Sequence, residues 1–164
     1  LPEQFLYMIH LTKPYLDNAQ VVIDRKADGF TKLADLKGKK VGPQAGSSAE
    51  DAINHNEEFK SSLKKVIPYE DNLTALTDLE VGGVDGVVMD SVVAKYTITT
   101  GNLPLVVLEE SLAKEAYGIG FRKDEKGAKL RDDVQKTLEE MAKDGTVAEI
   151  SKKWFGSDIS VIGK

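Results

Sequence analysis

Residues 41–51, VGPQAGSSAED, put a glycine and two hydroxyls where a strand gives way to a helix. Backbone N–H groups at the start of a helix have no intrahelical acceptor and point outward, so such a turn suits a small anion or a carboxylate. Ser47 and Ser48 add hydroxyl donors beside Gly46, and Gln44 adds an amide. Asp90 closes the apolar run VDGVVMD (84–90), where a strand should end. An aspartate at that point offers a charge-assisted acceptor to an ammonium group. Together the turn and Asp90 match the two ends of a zwitterion. The same residues also suit purely structural work. Ser47 and Glu50, like Ser48 and Asp51, stand at capping-box spacing. Asp90 stands where the next helix needs an N-cap, and Gln44 fits a solvent-facing strand end. Both readings stay open at this level, because caps and ligand contacts are not exclusive.

Other chemistries find little support. The chain has no cysteine, which excludes disulfides, zinc–thiolate sites and thiol nucleophiles. His10 and His55 are far apart, with no acidic cluster around either at ligand spacing, and read as surface histidines. No G-x-S-x-G elbow is present, and GPQAGSS lacks the Gly-Lys-Ser/Thr ending of a phosphate-binding loop. YGIG supplies two glycines of a dinucleotide fingerprint but leads into FRKDEKG rather than a helix. Glu109–Glu110 reads as a solvated strand end. No catalytic group, metal or cofactor is expected. The net charge of −5 gives no general attraction to nucleic acid or anionic membranes, and no apolar run approaches the roughly 20 residues that span a bilayer.

The elements that must position these residues follow from periodicity and punctuation. AQVVIDR (19–25), KKVGPQ, LKKVIPY (63–69), VDGVVMD, LPLVVLEE and AYGIGFRK read as strands. Between them come a short helical turn ending at Gly38, a helix from about Ser48 to Asn56, the helix DNLTALTDLEVGG and the helix SVVAKYTITTG. This alternation predicts an α/β lobe around a mostly parallel sheet flanked by helices. Ligands of such sheets sit outside the carboxyl ends of the strands, where the Gly46–Ser48 turn and Asp90 both fall. The last forty or so residues differ. Leu130, Val134, Leu138 and Met141 recur at helical spacing, and Val147, Ile150 and Trp154 line a second, shorter helix.

The ordered blocks KPYLDNAQVVIDRK, LADLKGKKVGPQAGSSAED, NLTALTDLEVGGVDGVVMD, AYGIGFRK and LEEMAKDGTVAEISKKWFG resemble the solute-binding proteins of polar amino-acid ABC transporters, over about Lys13 to Gly156. The resemblance implies a periplasmic-binding-protein-like (type II) fold of two lobes with a ligand cleft. It implies residues 1–18 as a remnant of lobe 1 with the first hinge, 19–116 as lobe 2, and 117–164 as the second hinge with the C-terminal helices of lobe 1. By the same resemblance Ser48, with the backbone around Gly46 and Ser47, would hold the α-carboxylate of a polar amino acid. Asp90 would hold the α-ammonium, with Gln44 near the side-chain pocket. Tyr15 and Gln20 would lie in the first interlobe crossing, Tyr117 and Gly118 in the second. An ABC-transporter permease is the implied partner, and the periplasm or a cell-surface lipoprotein the implied location. LPEQFLYMIHLTKPYL carries neither a basic leader nor a cleavage site. Two other readings attach to the same fold: a cyclohexadienyl-dehydratase-like enzyme, and a fragment of an extracellular sensor domain.

Few residues precede Pro14–Tyr15, whereas the resemblance implies a long N-terminal portion of lobe 1 there. The expectation is therefore a truncated first lobe, impaired ligand binding and an uncovered apolar stripe along Leu130, Val134, Leu138, Met141 and Trp154. Uncovered stripes favour self-association, as a homodimer or by exchange of elements between chains. Light scattering at micromolar concentration should then give a molar mass above that of one chain, and a single-chain mass contradicts the expectation.

Overall fold

The computed structural model describes residues 3–164; Leu1 and Pro2, where the expected lobe-1 remnant begins, lie outside the described residues. The elements run in the order α1 (Glu3–Leu6), β1 (Ile9–Leu11), β2 (Leu16–Arg25), β3 (Lys40–Pro43), α2 (Ser48–His55), α3 (Glu57–Ser62), β4 (Lys65–Val66), α4 (Asn72–Glu80), β5 (Gly86–Asp90), α5 (Ser91–Gly101), β6 (Leu105–Tyr117), β7 (Gly120–Arg122), α6 (Glu125–Lys143) and α7 (Thr146–Phe155). Single 3-10 turns at Lys26–Asp28 and Leu33–Leu36 follow β2. The chain divides into two compact units, one of Leu1–Asp17 with Ala116–Lys164 and one of Asn18–Glu115. The chain passes between them inside β2 and inside β6.

The Asn18–Glu115 unit is built on a five-stranded sheet of order β4-β3-β5-β2-β6. β3 runs parallel to both β4 and β5, and β2 joins β5 antiparallel, so the sheet is mixed. Alternation along the buried strands supplies a core on each face. Val21, Ile23, Val87 and Met89 pack with Ala75, Leu76 and Leu79 of α4. Val22, Val41 and Val88 face the other way, onto Ala49 and Ile53 of α2 and Phe59 of α3. Each such side chain removed from water contributes about 1.5–3 kcal/mol. Because β3 and β5 are parallel neighbours, with Pro43 opposite Val88, their carboxyl ends leave the sheet at one edge. That edge carries Gln44 to Ser48 and Asp90. The antiparallel register of β2 sets Gln20 directly opposite Asp90.

Several elements differ from their sequence-based expectations. LPLVVLEE is not a strand that stops at the acidic pair: β6 continues to Tyr117, and Glu109 and Glu110 are exposed positions inside it. The charged residues marked an exposed stretch, not an end, and the Glu110 carboxylate accepts from Leu33 N–H at 2.7 Å. AYGIGFRK is interrupted at Gly118–Ile119, so only Gly120–Arg122 forms β7. There β7 pairs antiparallel with β1. α6 starts earlier than the periodic run, because Asp124 caps it by accepting from Gly127 N–H at 2.6 Å. In this unit α6 lies against β1, β7 and α7. Leu130 and Trp154 are exposed, with Val134, Leu138 and Met141 half-buried.

One charge sits inside the sheet. Asp24 on β2 is fully buried, and neither carboxylate oxygen meets a hydrogen-bond partner. Burial first, and the nearby Asp28 carboxylate second, push its carboxyl up to about 6. The N–H groups of Phe30 and Asp24 and the Arg25 guanidinium oppose the shift without reversing it. A carboxyl that holds its proton more tightly folded than unfolded stabilises the fold when protonated, and that stabilisation is lost as pH rises through the folded value. Wild-type stability should therefore decline from about pH 4 to a little above 6. The substitution Asp24→Asn should remove this decline and raise stability at pH 7 by about 1–2 kcal/mol, read by urea unfolding across the range. An unchanged pH profile in the variant contradicts this account.

Candidate functional site

The turn after β3 is held by a short ladder. Gln44 bridges Tyr69, Tyr69 N–H donates to Pro43 O at 2.9 Å, and Ala45 N–H donates to Tyr69 O at 2.8 Å. The Tyr69 ring and Ile67 O lie so close over Gly42 that a Cβ there would clash with both, so only glycine fits. The Tyr69 hydroxyl donates to the Asp78 carboxylate. Gly46, at φ +68, turns the chain into α2.

The hydroxyls of the turn divide their work. Ser47 is the N-cap of α2: its Oγ accepts from Glu50 N–H at 3.4 Å and donates to Gln44 O at 2.7 Å. The Glu50 carboxylate reaches back past the N-cap to Gly46 N–H, at 2.6 Å. Gly46 and Ser47 are thus engaged within the turn itself. The Gln44 amide donates to Glu70 O at 3.3 Å. Ser48, one residue further and exposed, takes no part in the cap. Its Oγ accepts from Gln20 Nε2 at 3.1 Å, which leaves the hydroxyl proton for an outside acceptor. The N–H groups of Ser48 and Ala49 open the helix and have no intrahelical acceptor.

Asp90 occupies the N-cap position of α5 but makes no cap hydrogen bond with its side chain. Asn18 caps instead. Its Oδ1 accepts from Val92 N–H at 3.4 Å and from Ser91 Oγ at 3.2 Å, while Ser91 Oγ accepts from Ala19 N–H at 3.1 Å. The Asp90 carboxylate turns to Gln20, whose Nε2 donates to it at 2.5 Å.

Gln20 is therefore the centre of the arrangement. It is fully buried, and its single amide nitrogen reaches Ser48 Oγ, Asp90 Oδ1 and, at 3.1 Å, Glu115 Oε2. Glu115 Oε2 also accepts from Asn18 Nδ2 at 2.9 Å. Turning the amide over would aim a carbonyl oxygen at two carboxylates, so the charges dictate its orientation. The consequence is a Gln20 Oε1 that is buried without a partner. Gln20, expected in the first crossing, lies inside the Asn18–Glu115 unit and joins the Ser48–Asp90 cluster. Tyr15 and Tyr117 fall in the other unit, with Tyr15 N–H donating to Tyr117 O at 2.9 Å and ring centroids 6.4 Å apart. Gly118 follows them, exposed.

Two participants, Asn18 and Glu115, escaped sequence reasoning. Their only local signal is position: Asn18 lies within LDNAQ, where β2 begins, and Glu115 is two residues before Tyr117 along β6, at the spacing of one strand face. Among the described residues no group of three or more His, Asp or Glu side chains could hold a metal ion, and no helix is long and apolar enough to cross a membrane.

The arrangement is a helix N-terminus and hydroxyl beside a carboxylate, tied by one amide. The family model of bacterial extracellular solute-binding proteins, family 3, matches residues 7–157. The chain belongs to this family. Members similar to it include the L-cystine-binding protein TcyJ of Escherichia coli, 33% identical over 149 residues that cover 90% of this chain and 54% of that protein. The probable amino-acid-binding protein YxeM of Bacillus subtilis is 35% identical over 157 residues, covering 93% of this chain and 57% of its own length. The chain thus spans about half the length of these relatives. A polar amino acid ABC uptake transporter substrate-binding protein from Streptococcus thermophilus superimposes with a TM-score of 0.80 at 31% identity, over 98% of this chain and 62% of that one.

Asn18→Ala should remove the α5 cap and one donor to Glu115 together. The expected loss is about 1–2 kcal/mol in urea unfolding. A loss within a few tenths contradicts the assignment of the cap to Asn18.

Proposed function

We propose that this chain binds the backbone of a polar amino acid on the Asn18–Glu115 unit and serves uptake through an ABC-transporter permease, outside the cytoplasm. The observation that carries this reading is the bonding of Ser48 and Asp90 to one buried amide, Gln20. The Ser48 hydroxyl and the N–H groups of Ser48 and Ala49 take the α-carboxylate at the positive end of the helix. Asp90 takes the α-ammonium by charge-assisted hydrogen bonds. Gln20 sets the spacing between these two sites. Gly46 and Ser47 shape the turn, and Gln44 stands beside it toward the ligand's side chain. Tyr15, Tyr117 and Gly118 serve as the hinge in this reading, with Asn18–Glu115 as lobe 2. No cofactor is required.

The names of the relatives, which are binding proteins, support a binding role over a reaction. Self-association belongs to the same proposal. Phe5, Leu6, Tyr7, Met8, Leu130, Ile150 and Trp154 are exposed in the other unit, and an apolar surface of this kind is relieved by burial against another chain.

Isothermal titration of the chain against individual polar amino acids tests the binding reading. Saturable binding is expected with at least one of them. Ser48→Ala should weaken it about tenfold, and Asp90→Ala should reduce it beyond detection. Absence of binding to every polar amino acid, or unchanged affinity in Asp90→Ala, contradicts it.

A further inference from the structure

The net charge of −5 hides a local surplus of the opposite sign. β3 and β4 are parallel neighbours with Lys40 in register with Lys65, so the residues that lead into both strands meet at the amino edge of the sheet. Lys64 N–H donates to Lys39 O at 2.9 Å, and Gly38 N–H donates to Ser62 O at 2.8 Å. These bonds tie residues 37–40 to residues 60–65. Lys37, Lys39, Lys60, Lys64 and Lys65 are exposed there, with Lys40 half-buried. None of them makes a salt bridge among the described residues. Lys60 Nζ donates to the neutral amide of Asn54 at 2.8 Å. The acidic residues on or beside these segments are Glu57 and Glu58, in the first turn of α3, and Asp85. The Asp85 carboxylate is taken up by Lys40 N–H and by Arg25. Positive charges gathered in this way repel one another and draw in anions. The candidate site stands at the other end of the same strands. β5, Gly86–Asp90, alone sets the two edges apart by about 16 Å. That is about twice the screening length at physiological salt, so the acids around Asp90 are largely screened from whatever meets the lysine edge.

We propose that the lysine edge of the Asn18–Glu115 unit docks onto an anionic phospholipid surface. The side-chain chemistry selects that partner. Lysine is a compact point charge on a flexible stem, suited to a diffuse array of lipid phosphates. Protein–protein interfaces are depleted of lysine and enriched in aromatic residues and arginine. Residues 37–40 and 60–65 include no arginine and no aromatic residue, so they also offer nothing on which a nucleic-acid base could stack. Docking by this edge leaves the strand ends that carry Ser48 and Asp90 on the side away from the lipid.

The test is co-sedimentation of the 164-residue chain with vesicles of equimolar phosphatidylglycerol and phosphatidylcholine, and with vesicles of phosphatidylcholine alone, at low and high salt. The expected result is binding to the mixed vesicles at low salt, lost at high salt, and no binding to the neutral ones. The triple substitution Lys39→Gln, Lys64→Gln, Lys65→Gln should weaken binding about a hundredfold. A second triple, Lys126→Gln, Lys129→Gln, Lys136→Gln, changes the net charge equally at exposed positions of α6. It should keep binding within about threefold of wild type. Circular dichroism checks that both variants fold. Should the first not fold, the lipid and salt dependence of wild type and the α6 variant decide. Absence of binding to the mixed vesicles at low salt overturns the inference, as does an equal loss in the two variants. Equal binding to neutral vesicles overturns it in favour of adsorption through exposed apolar residues. Binding to soluble polyphosphate but not to vesicles overturns it in favour of a free polyanion.

Discussion

A single primary amide, buried to the point of losing contact with water, holds together three parts of the chain that meet nowhere in sequence. Gln20 on β2 binds the first residue of α2, the last residue of β5 and a residue near the end of β6. In a low-dielectric surrounding such bonds are stronger than in water, and an amide left unpaired is correspondingly costly. Gln20 therefore cannot drift to solvent, and the groups it binds share its fixed position. The antiparallel pairing of β2 with β5, beside the parallel strands β3 and β4, makes this possible, because it brings Gln20 level with Asp90.

The site depends equally on residues that relieve others of structural work. Asn18 caps α5 from a neighbouring strand, so Asp90 can turn its carboxylate to Gln20 although it occupies the capping position. Ser47 caps α2, so Ser48 keeps a hydroxyl proton directed outside the helix. Glu50 occupies Gly46 N–H and completes the turn. At α2 and at α5 alike, one residue makes the cap and a second keeps its polar group out of it.

This division explains how far the sequence could be read. The capping spacing of Ser47 and Glu50 and the apolar run ending at Asp90 are local signals, and they located α2 and β5 well. Whether Asp90 caps α5 was not a local matter: the cap comes from Asn18, which reaches Val92 because β2 runs beside β5. Glu115 was invisible for the same reason: its partners are Asn18 and Gln20, almost a hundred residues earlier. The length of β6 was misjudged because Glu109 and Glu110 read as a strand end, although exposed acidic residues are compatible with a strand that faces water. The family blocks supplied an order of elements but not the hydrogen bonds that make the cluster one unit. They gave Gln20 a place at the first crossing but no partners, and its side chain bonds Ser48, Asp90 and Glu115.

The central claim is that Gln20 couples the α2 N-terminus and Asp90 into one receptor for an amino-acid backbone. The most direct measurement follows the side-chain amide of Gln20 and the backbone amides of Ser48 and Ala49 in nitrogen-15 spectra while a polar amino acid is added. The account predicts that all of these resonances shift along one saturation curve, with one dissociation constant. Saturable shifts confined to other parts of the chain, with the Gln20 amide unmoved, would contradict it.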